Sequence, residues 1–179
     1  MNAAYADPPY PGMARRHYSN QPICAEVNHR LLIGWLCADF DCWALSTSST
    51  ALRDVLALCP AEVRVGAWVK PFASFKPGVN PAYAWEPVIL WQGRRLGRES
   101  LTVRDWVSAN ITMQTDMAGA KPVEFCNWLF DFMGLARDDE FTDVFPGSGA
   151  VLRAWQAWGG RMLLSSAGHA QPAMFGIGA

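Results

Sequence analysis

The chain has 179 residues, 51% of them hydrophobic and nine of them tryptophan, which is the size and apolar content of one domain with a sizeable core. Its formal charge is −1, so no global basic field draws it to nucleic acid, and any such binding must rest on local patches. No apolar run approaches the roughly 18 residues of a membrane span, and no basic-then-apolar leader opens the chain. The expectation is therefore a soluble, unexported protein with no membrane partner.

Five cysteines, Cys24, Cys37, Cys42, Cys59 and Cys126, are an odd number without CxxC spacing and read as reduced core thiols of a cytoplasmic protein. His17, His29 and His169 form no zinc-spaced pair with them, so no metal site is expected. In chain order, Asn2 to Ala6 is a short apolar strand entering a double proline. Asn28 to Ala38 has the pattern of a helix, Cys42 to Leu45 of a strand running into a polar string, Ser46 to Thr50, and Ala51 to Leu58 of a short helix ended by Pro60. Glu62 to Val69 and Pro87 to Trp91 are β-rich. Gln92 to Ala120 is the most polar long stretch and predicts little regular structure beyond a turn of helix around Asp105. Pro122 to Leu135 is an amphipathic helix with Gly134 at its end, Phe141 to Phe145 a strand, Ala150 to Trp158 a helix and Arg161 to Leu164 a last strand. Residues 1–166 are read as one domain with a small insertion at 92–120, and 167–179 as a loose Gly/Ala/Pro-rich tail.

Strands interleaved with helices predict an α/β fold, a mainly parallel sheet with helices on both faces and its site at the strands' carboxyl ends. Two stretches would meet there. Asp7-Pro8-Pro9-Tyr10 follows the first strand. Prolines have a fixed φ and no amide hydrogen, so two in succession hold a rigid extended loop with outward carbonyls. A carboxylate before them and an aromatic face after them suit a planar heterocycle carrying an exocyclic amino group. A strand-ending turn with Tyr10 packed in the core is the alternative. The second stretch, Pro146 to Gly149, follows a strand and opens a helix; its glycines allow close backbone approach, and the helix start offers unpaired amides to an anion.

The Asp-Pro-Pro-Tyr run resembles the catalytic motif of amino-group DNA methyltransferases, which move a methyl from S-adenosylmethionine to adenine N6 or cytosine N4. DVFPGSG resembles their cofactor loop, usually written DPFxGSG, with Asp143, Phe145, Gly147, Ser148 and Gly149 matching; AKPVEF resembles the lysine–proline motif before it. The order, catalytic motif first and cofactor motif last, is that of the permuted, beta-class-like members, and the likeness spans about residues 1 to 165, with WVKP and WEPVILW falling where the family has strand motifs.

The resemblance implies a Rossmann-like methyltransferase fold, truncated at the C-terminal end, with S-adenosylmethionine as cofactor. Asp7, Pro8, Pro9 and Tyr10 would be catalytic, and Lys121, Pro122, Asp143, Phe145, Pro146, Gly147, Ser148 and Gly149 would hold the cofactor. Arg15, Arg16, His17, Lys70, Arg94 and Arg95 are the candidates for nucleic-acid contact, with a solvated charged surface as the alternative for each. Asp at the first catalytic position favours adenine N6, where cytosine enzymes commonly carry Ser. Val144 departs from the family's usual proline, and RMLLSS lacks the usual acid for the ribose hydroxyls, for which Ser165 or Ser166 would be a weak substitute. The expected partner is DNA, in the cytoplasm of a bacterial cell or a phage-infected host. RNA or cytosine N4 as substrate, and a non-catalytic partner subunit or a homodimer, are the alternatives.

Overall fold

A computed structural model of the chain describes residues 1–10, 27–72, 78–95, 97, 100, 102–111 and 120–159, with the backbone of 161–162. Along the described chain run β1 (Asn2–Ala6), α1 (His29–Asp39), β2 (Cys42–Ser46), α2 (Leu52–Leu56), β3 (Arg64–Val69), β4 (Trp85–Trp91), β5 (Trp106–Ser108), α3 (Val123–Met133), β6 (Glu140–Asp143), α4 (Ala150–Trp158) and β7 (Arg161–Met162). The strands form one sheet in the order β5-β3-β4-β2-β1-β6-β7. β4 is antiparallel to both neighbours, and every other pairing is parallel. The carboxyl ends of six strands therefore share an edge with the start of β4.

Alternation along the strands divides the core into two halves. Ala3, Tyr5, Cys42, Ala44, Val88, Leu90 and Phe141 face α3 and α4, where Phe125, Leu129, Phe130 and Trp155 are fully buried. Ala4, Ala6, Trp43, Leu45 and Ile89 face α1 and α2, against Leu32, Ile33, Leu36 and Val55. α1 begins where the Asn28 side chain accepts a hydrogen bond from the Leu31 amide, satisfying a donor the helix leaves open. α3 starts one residue later than its sequence pattern predicts: Pro122 is the N-cap, with extended backbone, rather than part of the first turn. It ends at Gly134, whose φ of 69° and 2.9 Å approach to Arg94 leave no room for a β-carbon.

Gln92 to Ala120 corrects the sequence reading. Residues 106–108 are a strand, not a helical turn, and they lengthen the sheet beyond β3. Three residues carry too little periodicity to announce a strand. This one is specified from outside, by Ala67 N–H on Asp105 O (2.9 Å), Ala109 N–H on Val69 O (3.0 Å) and the Trp68 indole on Ala109 O (2.9 Å). Trp68 is buried and Trp91 half-buried, but Trp85 is 39% exposed: it lies at the start of β4, on the face where Ile89, further along the strand, is buried in the cluster that holds Val55 of α2. The expected loose tail and the end of the last strand lie outside the described residues. Among those residues no helix is long and apolar enough to cross a membrane.

Candidate active site

β1 is central, with β2 on one side and β6 on the other in parallel register: Tyr5 lies opposite both Ala44 and Asp143. The chain leaves β1 toward β2, whereas it leaves β6 toward β7. Loops after β1 and β6 therefore diverge, and the crevice between them is the place where open α/β sheets bind ligands. Asp7 emerges from β1 on one side of the crevice, Asp143 to Ser148 from β6 on the other. A pocket of about 50 Å³ between them is lined by Tyr5, Asp7, Lys121, Asp143, Phe145, Pro146, Gly147 and Ser148. Lys121 and Ala150 also line an adjoining groove of about 430 Å³ that runs past Pro122, Val123, Glu124 and Arg153.

Four charged side chains alternate in sign across the strand ends. Lys121 Nζ lies 3.0 Å from Asp7 Oδ2 and 3.1 Å from Glu86 Oε2, and Lys70 Nζ pairs with Glu86 Oε1. Both ammoniums stand over the Trp68 ring, at 4.7 Å for Lys70 and 5.1 Å for Lys121. Burial pushes the Asp7 carboxyl above its ordinary range; Lys121 opposes that and Glu86 adds to it. Burial also acts against Glu86, but its two lysines outweigh it and hold Glu86 below the usual value. For Lys121 the two carboxylates likewise overcome burial and raise its pKa. Beneath this group, the Tyr5 and Ser46 hydroxyls share a buried hydrogen bond of 2.8 Å.

Asp143 is the unpaired member. Both its carboxylate oxygens are buried without a well-formed hydrogen bond, the Phe145 amide being near enough only to temper the result. Burial, then the Asp7 charge, raises its pKa to about 7. Next to it the chain turns through Gly147 (φ 45°) and Gly149 (φ 70°), conformations that L side chains rarely adopt, before α4 begins. A β-carbon on Gly147 would find no protein atom closer than 3.8 Å, so the space over this turn is open. An unpartnered carboxylate and an open glycine cradle fit a ligand with a cationic nitrogen and a polar body.

No protein-family profile and no curated protein matches the chain. Solved structures do. M1.HpyAVI in complex with SAM superposes with a TM-score of 0.62 at 12% identity, over 90% of this chain and 80% of that one. M1.HpyAVI alone gives 0.58 at 14% identity, over 90% and 79%. A protein of Thermus thermophilus with the provisional name of DNA modification methylase gives 0.55 at 14% identity, over 100% and 89%. The chain has the α/β methyltransferase fold.

In that fold the sequence-derived candidates fall into groups. Asp7, Lys121, Asp143, Phe145, Pro146, Gly147 and Ser148 converge on one pocket, with Gly149 at the N-cap of α4 and Pro122 in the adjoining groove. Pro8 is buried, and Pro9 and Tyr10 are half-buried beyond it. Lys70 turns inward onto Glu86, and Arg94 bonds both oxygens of buried Asp139, at 2.6 and 2.9 Å. Arg95 is exposed. Arg15, Arg16 and His17 lie outside the described residues, as do Ser165 and Ser166. Of the polar string at Ser46 to Thr50, Ser48 caps the turn at Ala51 (3.2 Å), whereas Ser46 faces inward to Tyr5. Sequence reasoning missed Glu86 and Tyr5. The signal for Glu86 was a single acid inside the apolar run WEPVILW, which only a buried partner explains.

Proposed function

We propose that the protein is an S-adenosylmethionine-dependent methyltransferase acting on the exocyclic amino group of adenine, N6, in DNA. The observation that carries this reading is the convergence of the Asp-Pro-Pro-Tyr loop and the glycine loop, from opposite ends of the sequence, on the crevice between β1 and β6. The two motifs stand in the permuted order. M1.HpyAVI, seen with SAM, and the Thermus thermophilus protein with the provisional name of DNA modification methylase share the fold and lend support.

In this reading Asp143 accepts the cationic amino group of the methionine moiety, and Phe145 to Gly149 turn beneath it. Lys121 and Pro122 border the same part of the site. When bound, the cofactor supplies an activated methyl on a sulfonium that is already a good leaving group. The adenine amino nitrogen is a weak nucleophile because its lone pair is delocalised into the ring. Hydrogen bonds from its two hydrogens to the Asp7 carboxylate and the Pro8 carbonyl pull that nitrogen toward tetrahedral geometry and localise the lone pair. Tyr10 offers a face for the base, which must leave a duplex to reach it. After transfer the nitrogen is cationic and releases one proton, for which Asp7 is the acceptor. Arg94 and Arg95 follow the end of β4, at the edge of the sheet opposite the crevice, where Arg94 is held by Asp139.

Nucleoside mass spectrometry on DNA and on RNA incubated with the protein and S-adenosylmethionine tests this. N6-methyladenine in the DNA is the expected product. N4-methylcytosine, or label only in RNA, would replace the substrate. Cofactor binding by calorimetry without any methylated product would replace the enzyme by a methyltransferase-like partner subunit.

A further inference from the structure

Glu86 belongs to none of the motifs that suggest the activity, yet it is built into the site more firmly than most of the residues that do. It sits on β4, the one reversed strand among the described residues, so its position near the start of that strand brings it to the edge where the parallel strands end. Its side chain is 17% exposed, and each oxygen meets a different lysine: Oε1 the ammonium of Lys70 at the end of β3, Oε2 that of Lys121 just before α3. Lys121, 7% exposed, is held between Glu86 and Asp7 at almost equal distances, 3.1 and 3.0 Å. Without Glu86, Lys70 would lose its ion-pair partner and Lys121 would pair with Asp7 alone.

That difference matters to chemistry at Asp7. A carboxylate fully neutralised by a close ammonium is a poor acceptor for a weakly polar amino hydrogen and a poor base for the proton released later. One whose counter-ion is shared keeps more of its charge for the substrate. We propose that Glu86 is a positioning residue for Asp7: by holding Lys70 and dividing the Lys121 ammonium between two carboxylates, it keeps Asp7 fixed in place but able to accept from a substrate amino group. This inference rests on the proposed activity for its purpose, but the electrostatic arrangement it describes is a property of the protein alone.

The charged and titratable groups facing Asp7 are Lys121 before α3, Glu86 on β4, Lys70 after β3, Asp143 on β6, and Tyr5 on β1. Tyr10 follows it on the same loop. Removing the Glu86 charge leaves the lysines unopposed, so Asp7 should become a weaker base. The test is carboxyl-carbon NMR titration of the aspartates in cofactor-free protein, with the Asp7 resonance assigned by its loss in Asp7→Asn. In Glu86→Gln, which preserves shape, the Asp7 titration should move to lower pH than in the wild type, and Glu86→Asp should return it part of the way. Single-turnover methyl transfer at saturating cofactor should show the same shift in its acid limb, with a plateau about tenfold lower or more. An unmoved Asp7 titration in Glu86→Gln overturns the proposal, whatever the rate does. A shifted titration with an unchanged plateau overturns it too, since Glu86 would then have no part in the transfer. A wild type that makes no methylated product, with the titration shifting as described, overturns the proposed activity instead.

Discussion

The Lys121 ammonium lies 3.0 Å from the Asp7 carboxylate, joining the loop after the first strand to the entry of α3. The residue expected on the cofactor side of the site is thus tied directly to the one expected to hold the amino group. Methyl donor and acceptor sites in this fold would be coupled by a single ion pair.

Removing that ion pair from the lysine side has a defined sign. Lys121→Met keeps much of the aliphatic stem over Trp68 and Phe125 but leaves Asp7 and Glu86 facing one another. Lys121 lowers the Asp7 pKa, so its loss should raise it further, and the acid limb of the transfer rate should move to higher pH. The destabilisation should be about 2 kcal/mol, less than the ~3–5 of a fully enclosed broken pair, because Asp7 is a quarter exposed. Urea denaturation at neutral pH measures the second effect. A limb moving to lower pH would show that Lys121 does not govern Asp7.

Asp7→Ala should act on the chemical step. It deletes one acceptor from the reacting nitrogen while leaving the loop at Phe145 to Gly149 in place, so a loss of about 100-fold or more in single-turnover transfer is expected. Cofactor affinity should change much less, since Asp143 and the glycine turn are untouched. Asp7→Ser supplies a weaker acceptor and should retain part of the rate or relax the choice of base. Wild-type transfer by Asp7→Ala would reduce the double proline to a turn.

The glycine turn is tested by Gly147→Val. A side chain there would crowd a ligand that approaches the backbone closely, and Gly147 has a φ of 45° with open space over it. A β-branched residue must either strain the backbone by roughly 1–2 kcal/mol or flatten the turn. In either case calorimetry with S-adenosylmethionine should show binding abolished or severely weakened. Unchanged binding would place the cofactor elsewhere.

The fold was legible where local pattern and tertiary role agree. The β1 and β2 segments are short apolar runs buried on both faces, α1 and α4 carry helical periodicity that matches their burial, and Gly134 marks a helix end in the sequence itself. β5 was not legible, because its three residues are ordered by hydrogen bonds to β3 and by the Trp68 indole rather than by their own pattern. In the site, Asp7 and Asp143 stood out through their motifs. Glu86 did not, because its meaning depends on β4 running backwards, which brings residues near its start beside the ends of β1 and β3. No local spacing encodes that reversal.

Asp143 offers a test in which stability and binding should move in opposite directions. Its carboxyl is raised to about 7 in the fold from an ordinary 3.8, first by burial and then by the Asp7 charge. Folding therefore takes up a proton in the window between those values. By linkage, native stability from this group is present below about pH 4, falls as pH rises toward 7, and is flat above it, with a total change of at most about 4 kcal/mol. Asp143→Asn carries no charge at any pH and loses this slope. Without ligand it should melt close to the wild type at pH 4.5 and clearly higher than it at pH 8. The same variant should bind S-adenosylmethionine more weakly, because the acceptor for a cationic amino group has lost its charge, and the deficit should widen above pH 7, where the wild-type carboxylate is ionised. Thermal melts and calorimetry at the two pH values measure both. If the melting difference between variant and wild type were the same at pH 4.5 and pH 8, Asp143 would not be the buried, unpaired carboxylate that the geometry makes it.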